Sequence, residues 1–591
     1  MIVPIDRSSA VAAAMGQRPF DLVIANVQLV NVYTGEVYPA DIGIAGGLIA
    51  HVGPAGSERL ESVETVDGAG RWAVPGFIDN HNHLESTMMV PAHYTEVILP
   101  HGTTTSVIDP HEVANVCGLR GVEYVLAASA DLPMHILVAA PSCVPSVPGK
   151  EVAGADIGPA EMETMLGWDR VIGVAEVMDF PGVLGQDPRM TGIVAAGLAR
   201  SQVIQGHFPL GRGRQLSAYM AAGPESDHET TGTEEALEKL RAGMMVLARE
   251  SSISQDLRAI IAAVKQLPGV PLNLTFCTDD RHPSDLLKQG HMDHVVRRAI
   301  AEGLEPVAAI RAATLVAAQH NRLLDRGAIA PGKLADLLLL TDLETVQVDE
   351  VYVGGRLVAK GGSMAVDLQR LHFPIEAENM VKLPRPLTAA DFTMKLPVQT
   401  GSVRARAMHL PTPSPIMTDL VEFDLPVRDG APDLAAVPDL CLISVAERHG
   451  RTDHNLAVTF MTGYGLRTGA IGCTVAHDSH NLLLVGRNAA DMAVAAAELA
   501  RVGGGIIAVE NGEVKARVDL PIMGLLSPLP ARELAPQVEA LKAVMMDMGV
   551  RGPDPVLLTT IFALAVIPRA RVTDLGLIDV ATQQIVPTLV G

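Results

Sequence analysis

Residues 73–83 read AVPGFIDNHNH, and the fold is decided there. An apolar run is interrupted by Pro75-Gly76, resumes at Phe77-Ile78 and ends in Asp79-Asn80-His81-Asn82-His83. In an extended segment residues i and i+2 face the same side, so both imidazoles can reach one metal ion. Taken alone, His-x-His fits a surface or structural pair equally well. The chain downstream gives it meaning, because a unit of short apolar strand, polar loop and amphipathic helix recurs as far as His320. Further candidate strands are TTSVID (104–109), HILVAA (135–140), VIGVAEV (171–177), VIQGH (203–207), AAGPESDH (221–228), MMVLARE (244–250) and LNLTFCTD (272–279). The strands recur at intervals of roughly 20–35 residues, with helical stretches such as Glu234–Ala242 and Leu257–Gln266 between them. That pattern predicts an α/β chain built on a (β/α)8 TIM barrel over 73–325. The sixth strand is broken by Gly and Pro.

On either side the texture changes. Short β-runs separated by Gly and Asn fill Asp21 to Asp67, and a similar pattern returns at Asp336 to Val358. Two such segments bracketing a barrel predict one small β-sandwich built from both flanks, 1–72 and 326–380. Beyond Gly362 and the Pro-containing stretch KLPRP (382–386), residues 381–591 read as a C-terminal α+β domain, with a helix at Ala489–Arg501 and a strand at Ile506–Glu510.

Composition bounds the function. The chain has 591 residues, 48% hydrophobic and 19% charged, enough for several domains with large cores. Its 45 Lys and Arg against 67 Asp and Glu leave a net charge of −22 and no basic run, which argues against nucleic acid and for a small-molecule substrate. Five scattered cysteines without a CxxC pair argue against a disulfide framework or a Cys-ligated zinc and for a cytoplasmic location. Asp6 and Arg7 stand where a signal peptide would need its apolar stretch. The longest apolar runs, such as PVLLTTIFALAVIP (555–568), fall short of the roughly 18–20 residues of a membrane-spanning helix. Aromatics are only 3%, so a pocket is expected to read its ligand through polar edges and metal.

In a TIM barrel, active sites form at the C-terminal ends of the strands. Glu176 closes the fourth strand inside an apolar run, where a carboxylate needs a cation, either an arginine or metal ions that it can span with its two oxygens. His207 and His228 close the fifth and sixth strands, as ligands or as satisfied core histidines. Asp279 ends the eighth and is followed by Asp280; strand phase favours Asp279 as metal ligand and general base. Together these residues make a binuclear hydrolytic site plausible.

VPGFIDNHNH (74–83) and GAIAPGKLADLLLL (327–340) make the sequence resemble the amidohydrolase superfamily. Within it, HNHLEST (81–87), GTTTSVIDPHEVANVCG (102–118), GVAEVMDFPGV (173–183), CTDDRHP (277–283) and AHDSHN (476–481) resemble the adenine deaminases of the long bacterial type. The resemblance implies hydrolysis of adenine to hypoxanthine and ammonia by a hydroxide held between two divalent metal ions and attacking C6. Mn2+ is the foremost occupant, with Fe2+ or Zn2+ as alternatives. It implies one ion on His81 and His83, Glu176 bridging to a second on His207 and His228, and Asp279 as ligand and proton carrier. Many superfamily members bridge with a carbamylated lysine; here no Lys lies between Lys150 and Lys239, which lowers the odds of a dihydroorotase or hydantoinase. The PCxxC pair of cytidine-type zinc deaminases is missing. Glu85, Asp109, His111 and Glu112 are candidates for holding the purine edge, with Glu85, His111 and Glu112 as candidates for protonating N1; Glu85 is alternatively a group that orients His83. His93, His101, His282, His291, His294 and His320 read as structural. The 476–481 segment either caps the active-site mouth or forms a turn held by its own Asp and Ser. Alternatives are an amidohydrolase for a related purine, pyrimidine or cyclic amide, or a catalytically silent purine-binding barrel. The expected partners are the small substrate and further copies of the chain in a homodimer or larger assembly, with neither nucleic acid nor membrane.

Overall fold

A computed structural model describes residues 4–369, 373–374, 378–411, 417–453, 455–552, 554–567 and 569–590. Its centre is a ring of parallel strands at Phe77–Asn82, Thr103–Ile108, His135–Ala140, Val171–Val177, Val203–Gly206, Ser226–Asp227, Met245–Arg249 and Leu274–Cys277. The first five pair in sequence order, as do the last three. The ring closes where Asp279 N–H donates to the His81 carbonyl at 3.1 Å and where Glu225 N–H donates to the Ile204 carbonyl at 3.0 Å. Strand-interior residues such as Val107, Val138, Val174 and Ala248 are buried, as expected of a parallel sheet covered by helices.

The expected sixth strand, 221–228, is the one that differs. Ala221 and Ala222 finish the helix Gly213–Ala222, and Gly223 turns the chain at φ +137°. Pro224 has no N–H to give a ladder. Only Ser226–Asp227 remains extended, which suffices to present His228 at the rim.

Both flanks of the barrel join in a nine-stranded sheet. Its seam is the antiparallel pairing of Leu337–Asp342 with Trp72–Pro75, which places Leu338 beside Val74. Leu22, Ile24, Leu29, Ile42, Leu337 and Leu339 share its core. The first barrel strand therefore starts from a strand already anchored in this sheet.

The C-terminal part is a second nine-stranded sheet covered by helices. The helix Ala489–Val502 starts where the Asn488 side chain accepts from Asp491 N–H and stops at Gly503, whose φ of +87° only glycine adopts without strain. Met492, Ala495, Ala496 and Leu499 turn its apolar face into the sheet. This part docks on the mouth of the barrel through Ser527 N–H to the Met88 carbonyl (2.8 Å), Asn481 Nδ2 to the Val152 carbonyl (2.9 Å) and Val152 N–H to Asp574 (3.0 Å). Among the described residues no helix is long and apolar enough to cross a membrane.

Candidate active site

The histidines of the first strand are held before anything binds them. His83 Nδ1–H donates to the Asp109 carbonyl at 3.1 Å. Gln205 donates through Nε2 to the Asn80 carbonyl, which leaves its Oε1 to accept from His81 Nδ1–H, also at 3.1 Å. Both rings thus turn Nε2 toward Glu176 and Asp279, the arrangement a metal-ligating imidazole needs.

Glu176 lies between two histidine pairs. Its Oε1 is 3.9 Å from His81 Nε2 and 3.4 Å from His83 Nε2; its Oε2 is 2.5 Å from His207 Nδ1 and 3.2 Å from His228 Nε2. Asp279 completes the first pair, with Oδ1 3.6 Å from His81 Nε2 and 3.2 Å from His83 Nε2. All six side chains are buried. Burial opposes the charge on Glu176, yet His207 and His228 hold its carboxyl well below the usual carboxylate range. Burial likewise opposes the charge on Asp279, and His83 and Arg249 hold it well below that range. His81 is pushed well below the ordinary histidine value by burial and by His228. His207 is raised to about 9 in spite of burial because it faces Glu176.

These side chains fit a pair of divalent cations. His81 Nε2 is buried without a hydrogen-bond partner. Ligand atoms of His81, His228 and Asp279 lie within 4.8 Å of one another, as do those of Glu176, His207 and His228. Mixed imidazole and carboxylate donors suit Mn2+, Fe2+ and Zn2+ alike.

Residues 72–358 match the amidohydrolase family, and residues 415–584 match the adenine deaminase C-terminal domain. The chain is 41% identical over 583 residues to "Adenine deaminase" of Moorella thermoacetica, covering 98% of each chain. It is 43% identical over 594 residues to "Adenine deaminase" of Klebsiella pneumoniae subsp. pneumoniae, covering 99% of this chain and 96% of the relative. The chain belongs to the adenine deaminase family.

In this member of the adenine deaminase family, the residues expected at the purine edge divide. His111 faces the cavity beside Glu176. Its Nδ1 is 3.2 Å from Asp109 Oδ2 and 3.5 Å from Glu176 Oε1, and it is raised to about 10 against burial by Asp109. Asp109, Glu85 and Glu112 are buried: ligand atoms of Asp109 lie within 4.8 Å of those of His83, His111 and Glu176, and those of Glu112 within 4.8 Å of those of His111 and His477. Glu85 accepts from Val113 N–H at 3.2 Å, and Glu112 accepts from Ser86 Oγ at 3.2 Å. Burial, together with Glu112, raises Glu85 to about 8. Of the other histidines, His93 bonds the Pro528 carbonyl, His101 pairs with Asp293 and His291 bonds Thr103.

Several cavity residues were not expected. Arg249, from the seventh strand, donates to Asp279 Oδ2 at 3.0 Å and to Asp256 at 2.8 Å, and also pairs with Glu229. Its signal in the sequence is the same as that of Glu176, a charge inside the apolar strand MMVLARE. From the C-terminal domain, His477 and Asp478 join the wall, so the 476–481 segment reaches the site rather than forming an isolated turn. Ile561, Leu564 and Ile567 close it. They come from the long apolar run 555–568, which thus covers an active site. With Met178 and Ile253 they give the cavity aliphatic walls, and among the described residues no Phe, Tyr or Trp lines it.

Proposed function

We propose that the protein hydrolyses adenine to hypoxanthine and ammonia, with Mn2+ as the working ion. The observation that carries this reading is the position of Glu176, whose two oxygens face two different histidine pairs. His81, His83 and Asp279 with Glu176 Oε1 would hold one ion; His207 and His228 with Oε2 would hold the other. Divalent ions bound there supply the Lewis acidity that makes water nucleophilic near neutral pH.

This chain's own residues carry the protons. Asp279 keeps Oδ1 on the reaction side while Arg249 holds Oδ2, so it takes the proton of the attacking water and delivers it to the departing amine. Attack at C6 also needs a proton on N1. His111 faces the cavity as an imidazolium, with Asp109 orienting its Nδ1, and is placed to supply it. Glu85 and Glu112, both buried, are the further candidates for that proton, and Glu112 lies within 4.8 Å of His111 and His477. Aliphatic side chains on both sides of the cavity keep bulk water from the ring. The five cysteines, all unpaired, agree with a cytoplasmic enzyme, and the same reading includes a homodimer.

Ammonia release from a panel of purines and pyrimidines, with Mn2+-, Fe2+- and Zn2+-loaded protein, tests the proposal. Adenine should be the best substrate and Mn2+ the best ion. Turnover of another cyclic amidine or amide with none of adenine would refute the substrate assignment.

A further inference from the structure

We propose that Asp478, contributed by the C-terminal domain, reads the imidazole-ring N–H of a free purine base and so makes the site selective against N9-substituted purines. The inference rests on the adenine reading above and adds a specificity-determining residue to it.

Asp478 is 2% exposed and lines the cavity. Its Oδ1 is 3.6 Å from His111 Nε2 and 3.7 Å from His477 Nδ1. Its Oδ2 is buried with no hydrogen-bond partner. A buried carboxylate oxygen left unpaired is costly, and its lone pairs call for a donor. Neutral adenine carries N–H groups at two places, the 6-amine and one imidazole nitrogen; its remaining ring nitrogens are acceptors. The 6-amine has to lie at Glu176 and Asp279 to be displaced. The imidazole N–H is the donor left for the far wall.

The spacing agrees. His111 bridges the two carboxylates, with Nδ1 3.5 Å from Glu176 Oε1 and Nε2 3.6 Å from Asp478 Oδ1. The two acids are therefore separated by one five-membered ring and two contacts, a span that a bicyclic base fills when its C6 lies against Glu176. With His111 meeting N1, the unpartnered Oδ2 of Asp478 is the acceptor left for the imidazole N–H.

The segment carrying Asp478 is built to hold position. The buried Arg448 guanidinium donates to the carbonyls of His480, Met380 (3.0 Å) and Met523 (3.1 Å). Asn481 accepts from Arg448 N–H at 3.2 Å and donates to the Val152 carbonyl of the barrel at 2.9 Å. A carboxylate fixed from both domains cannot swing out to water when a ligand lacks the N–H, and an N9 substituent leaves it buried and unpaired.

The test is kcat and KM for adenine and 9-methyladenine in the Mn2+-loaded wild type, D478A and D478N, with metal content and Tm recorded for each. The wild type should prefer adenine by at least about 100-fold in kcat/KM. In D478A the adenine value should fall by about 10- to 100-fold, mainly through KM. The 9-methyladenine value should not fall, so the ratio collapses while two ions remain bound. D478N, which keeps the shape and one acceptor oxygen, should lose less, and it carries the test if D478A does not fold. An unchanged adenine to 9-methyladenine ratio in a folded variant, or equal use of both by the wild type, overturns the role of Asp478 and leaves the adenine reading intact. No ammonia from adenine with the wild type overturns both.

Discussion

Replacing Lys239 with Met tests whether the half of the site holding His207 and His228 is set by a single buried ion. The Lys239 ammonium is fully buried and donates to the Phe208 carbonyl at 2.8 Å, Asp227 Oδ2 at 2.9 Å and Glu235 Oε1 at 2.6 Å, with Thr230 Oγ1 nearby at 3.2 Å. Phe208 follows His207 and Asp227 precedes His228, so one charge fixes the two strand ends that present this histidine pair. Asp227 also accepts from Phe208 N–H at 2.6 Å. K239M keeps the length of the stem and removes the cation, leaving two buried carboxylates uncompensated. Breaking a buried pair in this way costs about 3–5 kcal/mol. At roughly 2–4 °C per kcal/mol for a domain of this size, Tm should drop by about 6–20 °C. Metal analysis after Mn2+ loading should give one ion per chain instead of two, because His81, His83 and Asp279 are anchored elsewhere. The pH dependence has a definite sign. Burial opposes ionisation of Asp227, but Lys239 holds its carboxyl below the usual range, so this stabilisation is fully present above the unfolded value near about 3.9 and is lost only as pH falls below that value toward the lower folded one. In K239M the same carboxyl is destabilising when charged, so the Tm gap to wild type should narrow as pH is lowered toward about 4. Two ions bound with unchanged affinity, or a Tm gap independent of pH, would refute the reasoning.

Other substitutions separate the remaining roles. E176Q removes the second charged oxygen, so bound metal should fall to one ion per chain or fewer and adenine deamination by at least about 1,000-fold; two tightly bound ions would contradict the bridging position. H111N should retain both ions and lower kcat by about 100- to 10,000-fold, the range of a lost general acid. Since His111 is raised to about 10, the wild-type rate should decline as pH rises through its pKa, a limb that H111N lacks; an identical profile in both would exclude His111 as the N1 acid. R249M frees Asp279 Oδ2 and should lower kcat by about 10- to 100-fold with little change in KM, measured by steady-state ammonia release.

Much of this site is legible in the chain itself, because the features that build it are local. A strand alternates its faces, so His81 and His83 must point together. A parallel strand is apolar until it reaches the rim, so Glu176, His207 and Asp279 announce themselves as polar residues closing largely apolar strands. Arg249 carries the same signal and is equally readable. The sixth strand is less so, since Ala221 and Ala222 suit a helix as well as a strand and only packing of the Gly213–Ala222 helix settles which. Asp109 and Glu112 flank His111 in sequence and stay close in space, Asp109 within 4.8 Å of His83, His111 and Glu176 and Glu112 within 4.8 Å of His111 and His477, but sequence alone does not assign them or Glu85 a task.

By itself the sequence determined the barrel and the polar residues at its strand ends, consequences of period-two alternation and of the cost of burying charge, while their grouping around two cations was implied by the family resemblance. Only the tertiary structure decided which residues close the cavity. His477, Asp478, Ile561, Leu564 and Ile567 reach it because the C-terminal sheet docks on the barrel mouth through contacts such as Asn481 to Val152 and Val152 to Asp574. The reason is physical: local backbone preference extends over a few residues, whereas the meeting of two distant surfaces is set by the shape and hydrogen-bonding of both, and neither is written in the spacing of either one.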